Sequence, residues 1–327
     1  MSRRSRRRDG PTGFLLIDKE AGLTSHDVVS RCRRRFDTPA VGHAGTLDPD
    51  ATGLLLVGVG KATKLLTFLV GLPKTYEAVI AFGAATSTQD ASGTVEGTFD
   101  MSGLTAAAVA DAARSMEGPS EQVPPMVSAV RIDGKRLHEL AREGKEVERP
   151  PRPIRVDRFE TTPASEAELA GCTWIGGAAP EFRCSADGTP LTFRATVECS
   201  SGTYVRTLAH DLGLALGGGA HLAALRRTRV GDYSVDDAAG WEEAALQPAA
   251  AAVAHLASLH PDPEVLDKVR QWPGARWSWG RPRRLGPWSV FARASTATIW
   301  PPWRCTSPTR ARRSSPRSCS PSPEPGC

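Results

Sequence analysis

The residue in this sequence best placed to do chemistry is Asp48. It stands in Gly42-His43-Ala44-Gly45-Thr46-Leu47-Asp48-Pro49-Asp50-Ala51-Thr52-Gly53, a glycine-spaced stretch that runs into the apolar Leu54-Leu55-Leu56-Val57. Glycine permits backbone conformations that other residues avoid. Pro49 drives Asp48 out of the helical region toward an extended backbone. The spacing predicts a tight loop that fixes the angle of Asp48 just before a buried strand. A carboxylate presented in that way can act as a nucleophile, a general base or a metal ligand. As the first half of Asp-Pro it can equally be a turn starter.

Other candidate chemistries are weaker. Gly58, Gly60 and Lys61 suggest a phosphate-binding loop, but no glycine stands at 55, and Ala62 replaces the Ser or Thr that a magnesium site needs. A metal-dependent hydrolase built on Asp48 and His43 lacks a ligand set. Cys172, Cys184 and Cys199, of seven cysteines in all, lack the paired spacing of zinc sites and read as reduced thiols. No metal site is expected.

Several elements must position Asp48. Residues 13–19 read as a short apolar strand, and Thr24, Ser25 and Asp27 supply N-cap chemistry for a helix to about Phe36. That helix carries Arg31, Arg33 and Arg34, a basic face suited to phosphate contact. Residues 54–59 form a buried strand and 61–69 the next helix. Residues 75–82 alternate, with Tyr76, Ala78, Ile80 and Phe82 on one face. Thr105 caps an alanine-rich helix that ends at Gly118-Pro119. Residues 122–153 are rich in basic side chains, including Arg131, Lys135 and Arg136. Residues 161–190 read as an irregular connection, and 191–199 as a strand. A helix follows to Leu216, and after the break at 217–221 a second helix reaches Leu225-Arg226-Arg227.

Composition adds limits. The net charge of +5 hides an uneven distribution. Residues 271–327 hold ten Arg and one acid, and residues 1–10 hold five Arg and one acid, so 11–270 carry a net −8. RNA binding by such a body requires local basic patches. No apolar run is long enough for a membrane span or a signal peptide, and a cytoplasmic protein is expected.

The stretch GHAGTLDPDATGLLL, followed by Gly60-Lys61-Ala62-Thr63-Lys64, resembles the central motif of the TruB family of tRNA pseudouridine-55 synthases. GFLLIDKEAGLTSHDVV, Lys74-Thr75-Tyr76-Glu77-Ala78, TSTQDASG, and SSGTYVRTLAHDLG with AHLAALRRTRVGDYS are similar to further family blocks in the family's order. The resemblance covers about residues 11–240. It implies an α+β pseudouridine-synthase fold with a mixed, mostly antiparallel sheet, flanking helices and an inserted RNA-binding segment. It implies that Asp48 is the nucleophile, that Arg206 pairs with it, and that Tyr76 lies against the target base. By the same resemblance Tyr204 and Leu225 line the uridine pocket, and His43 packs where the flipped base lay.

The implied reaction converts one uridine of the tRNA T-arm loop to pseudouridine, in a monomer, without a cofactor. A flipped-out base is what brings a nucleotide to a protein carboxylate. The alternative is a non-catalytic RNA-binding or RNA-folding protein on the same scaffold, but Asp48, Tyr76 and Arg206 are all present. The sequence departs from the family at Glu20, where Pro is usual, and at Val127 and His138, where Tyr is frequent. The expected organisation is a disordered basic arm over 1–10, a catalytic domain over 11–260 with a mobile segment over 122–153, and a tail over 261–327. Family members commonly carry a PUA-type domain at that end. Residues 271–327 show no strand alternation and are expected not to fold as one.

Overall fold

The computed structural model describes residues 10–128, 130–132, 135–137, 140, 147–181 and 183–256; of 131–132 and 135–136 it describes the backbone. The basic arm over 1–9, His138 and the tail from 257 onward lie outside the described residues, and so do the expectations placed on them.

The chain builds one large mixed sheet. Its strands are β1 (Gly13–Lys19), β2 (Val41–Ala44), β3 (Thr52–Val59), β4 (Lys74–Phe82), β7 (Gly118–Gln122), β10 (Arg152–Pro163), β11 (Thr192–Cys199), β12 (Ala220–Val230) and β13 (Tyr233–Ser234). The order is β1-β3-β12-β4-β11-β10-β7, with β2 on β3 and β13 on β12. Two short ladders stand apart, β5 (Ala84–Thr86) with β6 (Val95–Thr98), and β8 (Arg131–Ile132) with β9 (Lys135–Arg136). In the large sheet the described pairings are antiparallel except where β12 meets β3, at Arg226↔Thr52 and Arg227↔Gly53.

Local sequence explains most elements. Every residue of β3 is buried, as a central strand requires. The alternation in β4 sends Tyr76, Ala78, Ile80 and Phe82 to one core, together with Val109 of α2 (Ala106–Ser115) and Leu208 and Leu212 of α4 (Val205–Ala215). Val79 and Ala81 face a smaller cluster with Leu169 of the single-turn α3 (Glu166–Leu169). Helix α1 (Ser25–Arg35) begins with a capping box: the Asp27 amide donates to Thr24 Oγ1 at 3.0 Å, and the Thr24 amide donates to Asp27 Oδ2 at 2.9 Å. It lays Val28, Val29 and Cys32 over Leu15, Ile17 and Leu55.

Four expectations are corrected. Residues 220–230 form strand β12 and not a second helix: the Ala-Leu run suits a helix by propensity, but it fills the slot between β3 and β4 and is buried on both faces. The helix after β3 is a 3₁₀ helix, Gly60–Phe68. Gly42, His43 and Ala44 belong to strand β2 and pair with β3, so the loop that bears Asp48 is shorter than the glycine spacing suggested. Residues 161–163 finish the long strand β10, and the irregular connection begins only after them. The basic segment starts and ends on paired strands, because Arg152 stands opposite Gln122.

Candidate active site

Asp48 lies in the loop between β2 and β3, and contacts from distant parts of the chain fix that loop. Gly45 turns it with φ +82°, and its amide-flanked carbonyl accepts from Arg227 Nη2 at 3.0 Å. Ser25, at the start of α1, donates to the Leu47 carbonyl at 3.2 Å and accepts from the Leu47 amide at 2.9 Å. Lys19 Nζ donates to the carbonyls of Glu20, Leu23 and Pro49, each at 2.8 Å. The residues on either side of Asp48 are therefore each held by a buried polar side chain. Gly53, the second residue of β3, has φ +101°, and a Cβ there would stand 2.2 Å from the Arg227 carbonyl oxygen.

The carboxylate itself meets Arg206 of α4. Arg206 Nε lies 2.9 Å from Asp48 Oδ2, and Nη2 donates to Oδ1 at 3.4 Å. Arg206 is 3% exposed, whereas the Asp48 side chain is 43% exposed. The guanidinium has further partners: Nη1 donates to the Thr88 carbonyl at 3.0 Å, Nη2 to the Val127 carbonyl at 2.9 Å, and Nε lies 3.6 Å from Asp90 Oδ2. Asp90 is anchored in turn by the hydroxyls of Thr88 and Ser92, both at 2.6 Å. Burial pushes the Asp48 carboxyl above the usual carboxylate range. Arg206 opposes that push and the negative charge of Asp90 adds to it. The open part of the side chain tempers the effect of burial.

A crevice of about 240 Å³ opens over this carboxylate, with Asp48, Lys74, Tyr76, Tyr204, Arg206, Leu225 and Arg227 in its wall. Tyr76 and Arg227 are cross-strand neighbours on β4 and β12, and Leu225 stands opposite Ala78 two residues away. Burial raises the Tyr76 phenol above its ordinary pKa, and the Arg227 charge pulls it back. Lys74 gives its ammonium to the carbonyls of Val70 and Leu72, at 2.9 and 2.6 Å, and burial lowers its pKa to about 8. Tyr204 is set by Gln122, whose amide group accepts from the Tyr204 amide at 2.8 Å and donates to its carbonyl at 3.1 Å.

Asp48, Tyr76, Tyr204, Arg206 and Leu225 are thus brought together in one wall. His43 stands apart on β2, opposite Val57, and is not part of that wall. Burial first, and the Arg227 charge next, lower its imidazole pKa, so it is neutral near pH 7. On α1, Arg31 lies over the Trp241 ring at 5.1 Å, and Arg33 donates to the Val41 carbonyl at 3.3 Å. Arg34 is exposed and carries no such contact among the described residues. Arg131↔Arg136 and Ile132↔Lys135 form the β8/β9 ladder, and the side chains of Arg131, Lys135 and Arg136 lie outside the described part. Among the described residues no group of three or more His, Cys, Asp or Glu is placed to hold a metal ion.

Sequence reasoning missed Lys19, Ser25, Asp90, Gln122 and Arg227. Neither Lys19, between Asp18 and Glu20 at the end of β1, nor Arg227, between Arg226 and Thr228 in β12, is set apart by its neighbours in the sequence.

A mixed sheet that carries an arginine-held aspartate in a G-T-L-D-P loop, above a tyrosine-lined crevice, defines the pseudouridine-synthase class. Residues 33–205 match the description "TruB family pseudouridylate synthase (N terminal domain)", and 206–269 match "tRNA pseudouridylate synthase B C-terminal domain". The chain belongs to the TruB family.

Among curated relatives, the tRNA pseudouridine synthase B of Mycolicibacterium paratuberculosis is 48% identical over 238 residues, covering 73% of this chain and 74% of that protein. The Rhodococcus jostii protein of the same name is 47% identical over 237 residues, covering 72% of this chain and 71% of that one. In a crystal structure of a Cbf5-Nop10-Gar1 complex, a chain 27% identical superposes with a TM-score of 0.50. That match covers 75% of the present chain but 62% of the solved one.

Proposed function

We propose that this protein isomerises one uridine of tRNA, at position 55 of the T-arm loop, to pseudouridine, with Asp48 as the nucleophile. The observation that carries the reading is the Arg206–Asp48 pair at 2.9 Å, seated in the wall of a crevice beside Tyr76. Sequence similarity to proteins named tRNA pseudouridine synthase B supports the choice of substrate.

The uridine leaves its stack and enters the crevice, because the carboxylate cannot reach a base inside a folded loop. Arg206 keeps Asp48 ionised and aimed. Attack on C6 of the uracil and attack on C1′ of the sugar both require that ionised oxygen. The C1′–N1 bond breaks, the base turns, and C5 bonds to C1′. The C5 proton then leaves and N1 gains a proton, so the product is an isomer of the substrate. Tyr76 stacks on the base, and its hydroxyl stands ready to assist removal of the C5 proton. Tyr204 and Leu225 close the pocket around the ring. His43 packs into the space that the flipped base vacates, and the α1 arginines with Arg131, Lys135 and Arg136 contact phosphates of the stem. The protein acts as a monomer in the cytoplasm.

The test is tritium release from unmodified tRNA labelled with 5-³H-uridine. The wild-type chain should release tritium stoichiometrically with the target uridine. Asp48→Asn should abolish release and leave tRNA binding nearly intact. Tight tRNA binding by the wild type without any release would instead support the non-catalytic reading.

A further inference from the structure

Arg227 is the largest side chain fully buried in the described structure, at 1% exposure. No carboxylate among the described residues pairs with it. Its guanidinium donates to three backbone carbonyls, Nε to Leu54 at 2.8 Å, Nη2 to Gly45 at 3.0 Å and Nη1 to Thr46 at 3.4 Å, and it also hydrogen-bonds the Tyr76 phenol. Gly45 and Thr46 precede Asp48, and Leu54 follows it. A single planar guanidinium therefore spans the two ends of the loop that bears the carboxylate.

The same residue is the cross-strand partner of Tyr76 on β4 and the parallel partner of Gly53 on β3. Gly53 has no room for a side chain because the Arg227 backbone occupies that space. Arg227 also forms part of the crevice wall. Burying a cation away from any counter-ion is costly, and an apolar side chain of similar volume would fill the space without that cost. The guanidinium offers what an apolar chain lacks, a rigid fork of donors matched to several acceptors at fixed angles.

We propose that Arg227 is a positioning residue for the isomerisation proposed above: it fixes the backbone on both sides of Asp48 and the Tyr76 ring opposite, so that carboxylate and phenol address the same base. The inference rests on that functional reading. Arg227 touches the loop and the ring, and it acts on the substrate through them.

The experiment uses the full chain and the variants Arg227→Lys and Arg227→Gln. Tritium release gives kcat and KM, and titration with unmodified tRNA counts binding-competent molecules, so that kcat is expressed per such molecule. An ammonium keeps the charge but cannot span three carbonyls. Arg227→Lys should lose about 30- to 100-fold in kcat per competent molecule, with tRNA affinity within about twofold of wild type, an effect of the size expected when a catalytic group is misplaced by about 1 Å. The acid limb of its pH profile should stay in place, because the charge near the site is retained. Arg227→Gln should lose at least as much.

A Lys variant with kcat per competent molecule within about twofold of wild type would overturn the inference. So would a loss seen only in the number of competent molecules, which is what a purely structural role produces. Wild-type chain run alongside separates the two layers: no tritium release from it would overturn the functional reading and this inference with it, whereas active wild type beside an unimpaired Lys variant would overturn this inference alone.

Discussion

Arg206 Nε stands 2.9 Å from Asp48 Oδ2 while the rest of the guanidinium binds the carbonyls of Thr88 and Val127. One side chain thus joins the candidate nucleophile to the turn between β5 and β6 and to the start of the basic segment. Arg206→Lys keeps the charge but can satisfy only part of this set. It should lower kcat by about 100-fold, the order found when one preorganised donor is lost, with tRNA affinity little changed. Arg206→Met should lower kcat further. Steady-state tritium release with parallel filter binding checks both.

The pH profile follows from Asp48. Its carboxyl sits above the usual range, mainly through burial, with Arg206 opposing and Asp90 adding to the shift. The reactive form is the anion, so activity is lost as pH falls through that raised pKa. The acid limb of kcat/KM should therefore lie higher than an ordinary aspartate would place it. Asp90→Asn removes a neighbouring negative charge, lowers the Asp48 pKa and should move the acid limb to lower pH. An acid limb that does not move, or moves upward, counts against this account.

Gly53→Ala tests the loop's packing. The new Cβ meets the Arg227 carbonyl oxygen at 2.2 Å, and the backbone there has φ +101°. Neither the strand pairing nor the turn can yield without moving the other. A loss of roughly 3 kcal/mol or more is expected, in the range reserved for strained or overpacked core changes. Denaturant unfolding of the purified variant measures it.

Tyr76→Phe keeps the ring and removes the hydroxyl. If the phenol takes part in proton transfer, kcat should fall by about 10²-fold or more, the usual scale of general acid–base assistance, with tRNA affinity unchanged. A near-normal rate would confine Tyr76 to stacking.

On α1 the arginines differ. Arg31 and Arg33 are engaged with Trp241 and the Val41 carbonyl, whereas Arg34 is exposed without such a contact. Arg34→Glu should weaken tRNA binding and reduce the slope of log affinity against log salt by about one unit. Unchanged affinity at low salt would remove Arg34 from the interface.

The sequence made the crevice legible where the chemistry is local. Asp48 stands out by its own glycine and proline neighbours and the N-cap of α1 by Thr24 and Asp27, whereas the alternation of β4 places Tyr76 on one face of a strand and only the motif resemblance sets it against a base. Arg206 came from a motif resemblance, because nothing in residues 200–208 alone says what it touches. The contacts that set the loop were not legible. Lys19, Ser25 and Arg227 act through backbone carbonyls and amides some 22 to 182 positions away in the chain, and a carbonyl carries no sequence signal. Strand β12 is hidden from the sequence for a related reason. Its Ala-Leu run prefers a helix in isolation, and only the slot between β3 and β4, made by distant residues, forces it to extend.

The pairing of Arg152 with Gln122 has a consequence for how this protein family can vary. Strands β7 and β10 meet there, so the chain leaves the sheet and rejoins it at a single cross-strand rung. The intervening stretch is in effect a cassette. Its length and composition can change with only a slow rise in closure entropy, while the register of every strand in the sheet stays as it is. Among the described residues, Gln122 on the Tyr204 backbone and the Val127 carbonyl on Arg206 fasten its near end to the site. Ser128, which lines the crevice beside Asp48, marks how far the carboxylate's own surroundings reach into this stretch.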